Sequence, residues 1–388
     1  MRQWPRVALG DVAPIVRRPV EVQLDKQYPE LGIRSFGKGT FHKPPIAGSE
    51  LGTKRLFSIE PGDLVLSNVF AWEGAVAVAL PGDRGRFGSH RFITCCVDPK
   101  RADARFLRHY LTASQEGLEQ LRRASPGGAG RNRTLGVDKL PQISVPLPAL
   151  SEQRVIVARL EALSSKAQAV VSHLDAVERD ADHLLALRFR DAIGVARLCP
   201  MAEAAPLVRR EQTVSLDGGY PELGIRSFGK GTFHKPSLSG GDVGSKRLFR
   251  IEPGDLLFSN VFAWEGAIAI AGPQDAGRFG SHRFITCVAN PELTSAIFLR
   301  YYFLGLHGME KINEASPGGA GRNRTLGLEK LMTIEAPLPP LEVQRTFDDL
   351  QRQVATLKAK HTAIRNANAA LIPATLERIF RATEAEHA

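Results

Sequence analysis

The chain has 388 residues, with Lys plus Arg 51 against Asp plus Glu 41, a formal charge of +10 and 43% hydrophobic residues. That length calls for two or three domains, each able to bury its own core, and one small module is excluded. Apolar stretches such as Ala75 to Leu80 fall far short of the ~20 residues of a membrane-spanning helix.

The first residues, Met1 to Pro5, lead into polar sequence without the apolar run of a secretory signal, so a cytoplasmic protein is expected. Cys95, Cys96, Cys199 and Cys287 have neither zinc-site nor disulfide-framework spacing and read as small buried hydrophobes.

Tyr28 to Pro44, YPELGIRSFGKGTFHKP, recurs unchanged at Tyr220 to Pro236. The same offset aligns Ser67–Gly74 with Ser259–Gly266 and Gly85–Cys95 with Gly277–Cys287; after a one-residue deletion, Ala124–Gly136 aligns with Ala315–Gly327. Two copies this long mean two whole domains rather than a solenoid. Within each copy, Phe57–Glu60, Leu64–Leu66, Ala75–Ala79 and Arg91–Cys95 read as short strands, with Pro61-Gly62-Asp63 as a turn. From Pro99 the spacing of Phe106, Leu107, Tyr110, Leu111, Leu118 and Leu121 is helical until Pro126-Gly127-Gly128.

The last third of each copy is a long helix. Ile156, Leu160, Leu163, Ala167, Val170, Leu174, Val177, Ala181 and Leu184 alternate steps of four and three, with Ser151 as the N-cap candidate. Phe347, Leu350, Val354, Leu357, His361, Ile364, Asn368 and Leu371 do the same, and Pro373 should kink or end that helix. Each helix could cover its own domain, but a sustained 3.5-residue period keeps one seam toward one long partner, so an antiparallel pair is expected. His361 and Asn368 would set its register at some cost in stability.

The repeated segments cluster cations: Arg34, Lys38, His42, Lys43, Lys54, Arg55, Arg86, His90, Arg91, Arg131, Asn132 and Arg133 in the first copy. Arg226, Lys230, His234, Lys235, Lys246, Arg247, Arg278, His282, Arg283, Arg322, Asn323 and Arg324 answer them in the second. Cations neutralise phosphates, Arg and Asn can read guanine and adenine bidentately, and Gly37, Gly39, Gly127, Gly128 and Gly130 allow close backbone approach. Nucleic acid is therefore the partner this chemistry favours. Lys43 and Lys54 read as phosphate contacts, Arg131 and Asn132 as base readers. Trp72 and Trp264 suit either a core or a base contact.

Catalytic motifs are weak. Gly32 to Lys38 approaches a P-loop, but Gly39 stands where Ser or Thr must bind magnesium. Asp63, Glu73 and His90, with Asp255 and Glu265, are the nearest approach to a nuclease set, and Asp63 and Asp255 read better as turn residues. No catalytic, cofactor-binding or metal-binding residue is assigned.

Pro146-Leu147-Pro148-Ala149-Leu150-Ser151-Glu152-Gln153 and Pro337-Leu338-Pro339-Pro340-Leu341-Glu342-Val343-Gln344 resemble the P-L-P-P-L-x-E-Q motif of type I restriction-modification specificity subunits. Ala149 and Val343 depart from it. The Pro-Gly-Asp-Leu turns at Pro61 and Pro253, the Gly-Arg-Asn-Arg-Thr-Leu runs at Gly130 and Gly321, and the tail Leu371 to Leu376 resemble the same family.

The resemblance implies an α+β fold: two homologous mixed α/β target recognition domains related by pseudo-twofold symmetry, at 1–149 and 193–340, with antiparallel coiled-coil spacer helices at 150–192 and 341–388. It implies a non-catalytic subunit that binds double-stranded DNA and directs adenine methylation and restriction. Two methyltransferase subunits would carry S-adenosylmethionine, and restriction subunits would use ATP and magnesium. Equal domains in twofold relation favour equal, inverted half-sites. The seam from Ile156 to Leu184 spans about 42 Å at 1.5 Å per residue, about 12 base pairs, so half-site centres should lie roughly one DNA turn apart. A stand-alone DNA-binding or regulatory protein of the same fold, and a metal-dependent nuclease, are the two alternatives.

Overall fold

The computed structural model describes residues 4–127, 133–194, 196–318 and 324–381. The chain divides into two units: one comprises residues up to Leu174 together with those from His361 onward, the other runs from Asp175 to Lys360.

In the first unit a five-stranded sheet has the order Pro19–Val20, Leu56–Ser58, Phe87–Ser89, Gln27–Ile33, Thr40–Ala47. Its pairings are antiparallel apart from Glu30 opposite Phe87. Pro44 and Pro45 lie in the strand at the sheet's edge, where a missing N–H breaks no ladder, and the register shifts between Pro29 and Leu31. A second, antiparallel sheet has the order Ile15–Val16, Phe92–Cys95, Leu64–Ser67, Val76–Val78. Leu64 and Leu66 join the main core with Phe106, Leu107, Tyr110 and Leu111, while Val65 belongs to a second cluster with Leu31, Ile59 and Phe92. Burial on both faces is why this strand is a continuous apolar run instead of an alternating one.

The second unit repeats this plan. Its five-stranded sheet is Glu211–Gln212, Leu248–Arg250, Phe279–Ser281, Gly219–Ile225, Thr232–Ser239. Its other sheet has three strands, Ile268–Ile270, Leu256–Ser259 and Phe284–Cys287, with a single bridge from Leu207 to Cys287.

Both turns expected at Pro-Gly-Asp form. Asp63 accepts the Glu60 backbone N–H at 2.8 Å and pairs, buried, with the Arg18 guanidinium at 2.5 and 3.1 Å. Asp255 does the same with Glu252 and Arg210. The helical run after Pro99 is two helices, Ala104–Ala113 and Gln115–Arg123. Ser114 breaks it, accepting the Gly117 N–H and donating to the Tyr110 carbonyl. Cys95, Cys199 and Cys287 are buried, but Cys96 is exposed, because it lies just past the end of the buried strand Phe92–Cys95.

The long helices are Leu150–Ile193 and Leu341–Arg381. In the first unit Val157 and Leu160 share a core with Leu376 and Phe380, and the Asn368 amide donates to the Ala167 carbonyl at 2.8 Å. In the second, Lys358 bonds both Asp182 carboxylate oxygens at 2.6 and 2.8 Å, and the Phe189 ring lies 5.4 Å from that of Phe347. Within each unit the two helix segments thus run antiparallel. The seam departs from its expected course. Val170, Leu184, Ile364 and Leu371 are exposed, and the neighbouring Val171, Leu185, Arg365 and Ile372 take the packed side. A straight helix drifts about 20° per heptad from a strict 3.5 repeat, which moves the buried line on by one residue.

Two further expectations are corrected. Ser151 lies in the helix rather than capping it, because the helix begins at Leu150. Pro373 lies inside the second helix and does not end it. Buried Leu376 and Phe380 beyond it hold the helical turn despite the lost hydrogen bond.

Candidate nucleic-acid interface

The identical segments meet at one end of each five-stranded sheet. Ile33 faces Thr40, so residues 34–39 form the loop of the long hairpin, and Arg34 N–H closes it on the Gly39 carbonyl at 2.9 Å. Gly37 and Gly39 have φ of +64° and +79°, and a Cβ on Gly37 would come within 2.9 Å of the Thr112 hydroxyl. Phe36 sits at φ +61° and Phe228 at +61°, and they are the only non-glycine residues in the left-handed region among those described. Such a conformation costs about 1–2 kcal/mol for an L side chain. Both rings point to solvent, 70% and 74% exposed, so no burial of the ring offsets that cost.

The turn is pinned from below. Phe36 and Gly37 donate their N–H groups to the carbonyls of Glu73 and Gly74, each at 2.9 Å, and the Ser35 hydroxyl donates to the Glu73 carboxylate at 3.0 Å. In the second unit Phe228 and Gly229 donate to Glu265 and Gly266 at 2.8 Å, and Ser227 to the Glu265 carboxylate at 2.9 Å. The Lys38 ammonium lies 5.8 Å from the Phe36 ring centroid, and Lys230 lies 5.7 Å from that of Phe228.

The segment carrying Glu73 adds a second group of side chains. Phe70 and Phe262 are partly exposed, and Arg133 and Arg324 lie 5.5 Å over the rings of Trp72 and Trp264. The indole N–H groups are already bonded, to the Val69 and Val261 carbonyls. Asn68 links this segment to its neighbours, donating its N–H to the Arg91 carbonyl and accepting that of Leu135. Its buried side-chain oxygen has no hydrogen-bond partner among the described residues. His90 and Arg91, with His282 and Arg283, are exposed on the adjacent turns. Since Leu56 faces Ser89, Arg55 enters its strand at the same end of the sheet.

The remaining candidates have other work or other places. Arg34 and Arg226 donate to the Thr40 and Thr232 carbonyls and stack on Phe41 and Phe233 at 4.9 and 5.0 Å. Arg86 reaches the carbonyls of Glu30 and Lys43, and Arg278 those of Glu222 and Lys235, bracing the sheet beside its register shift. His42 and His234 bond buried Asp83 and Asp275 at 2.9 Å. Burial raises the Asp275 carboxyl, but hydrogen bonds from the Gly272 N–H, the Thr232 hydroxyl and the His234 ring outweigh it and leave the pKa lowered.

Lys54 pairs with the largely buried Glu30, and Arg247 with Glu211 at 2.6 Å. Lys246 is exposed, while Lys43 and Lys235 are half-buried. Arg131, Asn132, Arg322 and Asn323 lie outside the described residues. Asp63 and Asp255 are committed to arginines, and no group of three His, Cys, Asp or Glu able to hold a metal occurs among the described residues. No described helix is long and apolar enough to cross a membrane.

Phe36, Phe228, Phe70, Phe262 and Asn68 were not singled out by residue type. The available signal was an aromatic inside Ser-Phe-Gly-Lys-Gly, a turn composition that gives a large ring nothing to bury against.

Residues 1–177 match the family model of the type I restriction modification DNA specificity domain. Among solved structures, the HsdS subunit from Thermoanaerobacter tengcongensis is similar over 98% of this chain and 97% of that one, with 21% identity and a TM-score of 0.63. A chain from a structure of complex assembly and conformational transition in the type I R-M system is similar over 99% of both chains, with 22% identity and a TM-score of 0.70. No curated protein matches in sequence.

Proposed function

We infer from the match of residues 1–177 to the type I restriction modification DNA specificity domain, extended by the internal repeat, that this chain is a specificity subunit reading a bipartite DNA site with two equal, inverted half-sites. The observation that carries this reading is the pair of identical turns. Phe36 and Phe228, Lys38 and Lys230, Trp72 and Trp264 with their arginines share sequence, backbone angle and hydrogen bonding. Two readers offering the same groups select the same bases, and placed in twofold relation they select an interrupted palindrome.

In this reading the paired helices act as the spacer, with half-site centres about one DNA turn apart. Two methyltransferase subunits dock on them, carry S-adenosylmethionine and methylate adenine. Restriction subunits, where present, supply ATP- and magnesium-dependent translocation and cleavage in the cytoplasm. This chain contributes recognition and no catalytic group. Methylome sequencing of cells expressing it with its methyltransferase tests the reading. The expected motif is two complementary halves around an unspecified spacer, and two unrelated halves would overturn it.

A further inference from the structure

We propose that Phe36 and Phe228 are DNA wedges, each driving an exposed, pre-positioned phenyl ring against one base-pair step of its half-site and unstacking it. The proposal rests on the DNA-recognition reading above and adds to it a mechanical element, with readout of how easily the DNA deforms.

Four observations converge on these rings. Each is largely exposed and lies at a left-handed backbone position that glycine would occupy without strain, with Gly37 and Gly39 or Gly229 and Gly231 close beside it. Beyond an exposed contact with Lys38 or Lys230, the fold gains nothing internal from a phenyl group there, yet both units carry it. Strain maintained at an exposed side chain points to a use outside the fold. The turn is also rigid enough to press, because Phe36, Gly37, Phe228 and Gly229 are hydrogen-bonded at successive N–H groups to the turn behind them. In the second unit the half-buried Arg300 guanidinium further holds the Gly229 carbonyl at 2.7 Å.

The charge around the ring selects a polyanion. Lys38 or Lys230 flanks it, and the carboxylate beneath the turn, Glu73 or Glu265, is held by a serine hydroxyl. An apolar wedge beside cations suits a nucleic-acid duplex, whose phosphates take the cations while a base step admits the ring. Pyrimidine–purine steps unstack most easily, so each half-site should contain one at the wedge position.

The test selects binding sites for the full chain assembled with its methyltransferase subunits from a pool of random-sequence DNA duplexes, then measures affinity and end-to-end FRET on the selected duplex. Wild type should select a site with a TA or CA step in each half and bend it. Phe36→Gly with Phe228→Gly should bind that duplex at least ten-fold more weakly with the bend lost, while Phe36→Leu with Phe228→Leu retains most of both. The glycine variant should also melt no lower than wild type, because the backbone strain is relieved. A glycine variant that binds and bends like wild type overturns the wedge and leaves the recognition reading intact. If wild type selects no sequence, the recognition reading fails and the wedge with it.

Discussion

The two units agree around their exposed turns and differ in the helices that pack behind them. Seventeen consecutive residues around the Phe36 turn are unchanged around the Phe228 turn. The helices behind them are not: His109 of the first unit corresponds to Tyr301 of the second, and although Phe380 and Phe189 hold equivalent places against the equivalent Phe106 and Phe298, their other aromatic partners differ. Phe380 packs on Trp4, Phe106 and Tyr110 in the first unit, whereas Phe189 packs on Phe298, Tyr301 and Phe347 in the second. One framework therefore accepts two interiors, so the framework alone does not require identity at an exposed turn. Shared function at the turn accounts for it better than shared stability.

The largest effect that would sharpen this contrast comes from the aromatic seats. Phe380→Ala should cost about 3–5 kcal/mol, and Phe189→Ala, less deeply buried, about 2–3 kcal/mol. Hydrogen exchange should show Phe380→Ala loosening amides of residues 4–174 while those of 175–360 stay protected, and Phe189→Ala the reverse. Loss of protection in both units by either variant would break the comparison.

The turn ion pairs should behave alike in both units. Asp63→Ala and Asp255→Ala each leave an arginine without its buried partner, and about 2–3 kcal/mol is expected after allowing for the partial exposure of Arg18 and Arg210. Equal shifts in denaturant midpoint would show that the repeats are energetically matched here.

The junction glutamines come next. Gln153 accepts the Asp103 N–H at 2.9 Å and donates to the Arg101 and Pro148 carbonyls at 3.0 and 2.8 Å. Gln344 does the equivalent with the Thr294 hydroxyl and the Leu293 and Pro339 carbonyls. Replacing either with Ala should cost about 2 kcal/mol, read by thermal melting.

The smallest effect depends on pH and separates the units. Burial, reinforced by Arg108, lowers the His109 pKa to about 3. The folded state therefore holds His109 neutral while the unfolded chain protonates below its ordinary value near 6.5, so the stability it contributes is present above pH 6.5 and declines as pH falls toward 3. His109→Tyr, which copies Tyr301, should remove about 1 kcal/mol of acid sensitivity between pH 6.5 and 5. Melting curves of the variant and wild type that keep the same pH slope would contradict this.

Much of this was legible because it is periodic or repeated. The duplication, the Pro-Gly-Asp turns and the pairing of two long helices follow from residue order. The course of the seam was not, since Val170 and Val171, or Ile364 and Arg365, differ by one residue and helical drift decides between them. The interface was half legible. Lys38, Arg91 and Arg133 stand at the turn end, but Arg86 and His42 carry the same charge pattern and serve the sheet, because side-chain direction depends on pairing register. Gln153 and Gln344 were visible only as letters of a motif, and their three hydrogen bonds each required coordinates.

The source of Phe380 has a consequence for biosynthesis. The first unit is sealed by Leu376 and Phe380, which follow the whole of the second unit in the chain, so a ribosome must make residues 175–360 before that core can close. Until then Trp4, Phe106 and Tyr110 lack the ring they share in the folded protein. A frameshift between Lys360 and Leu376 should thus unsettle the first unit more than the second.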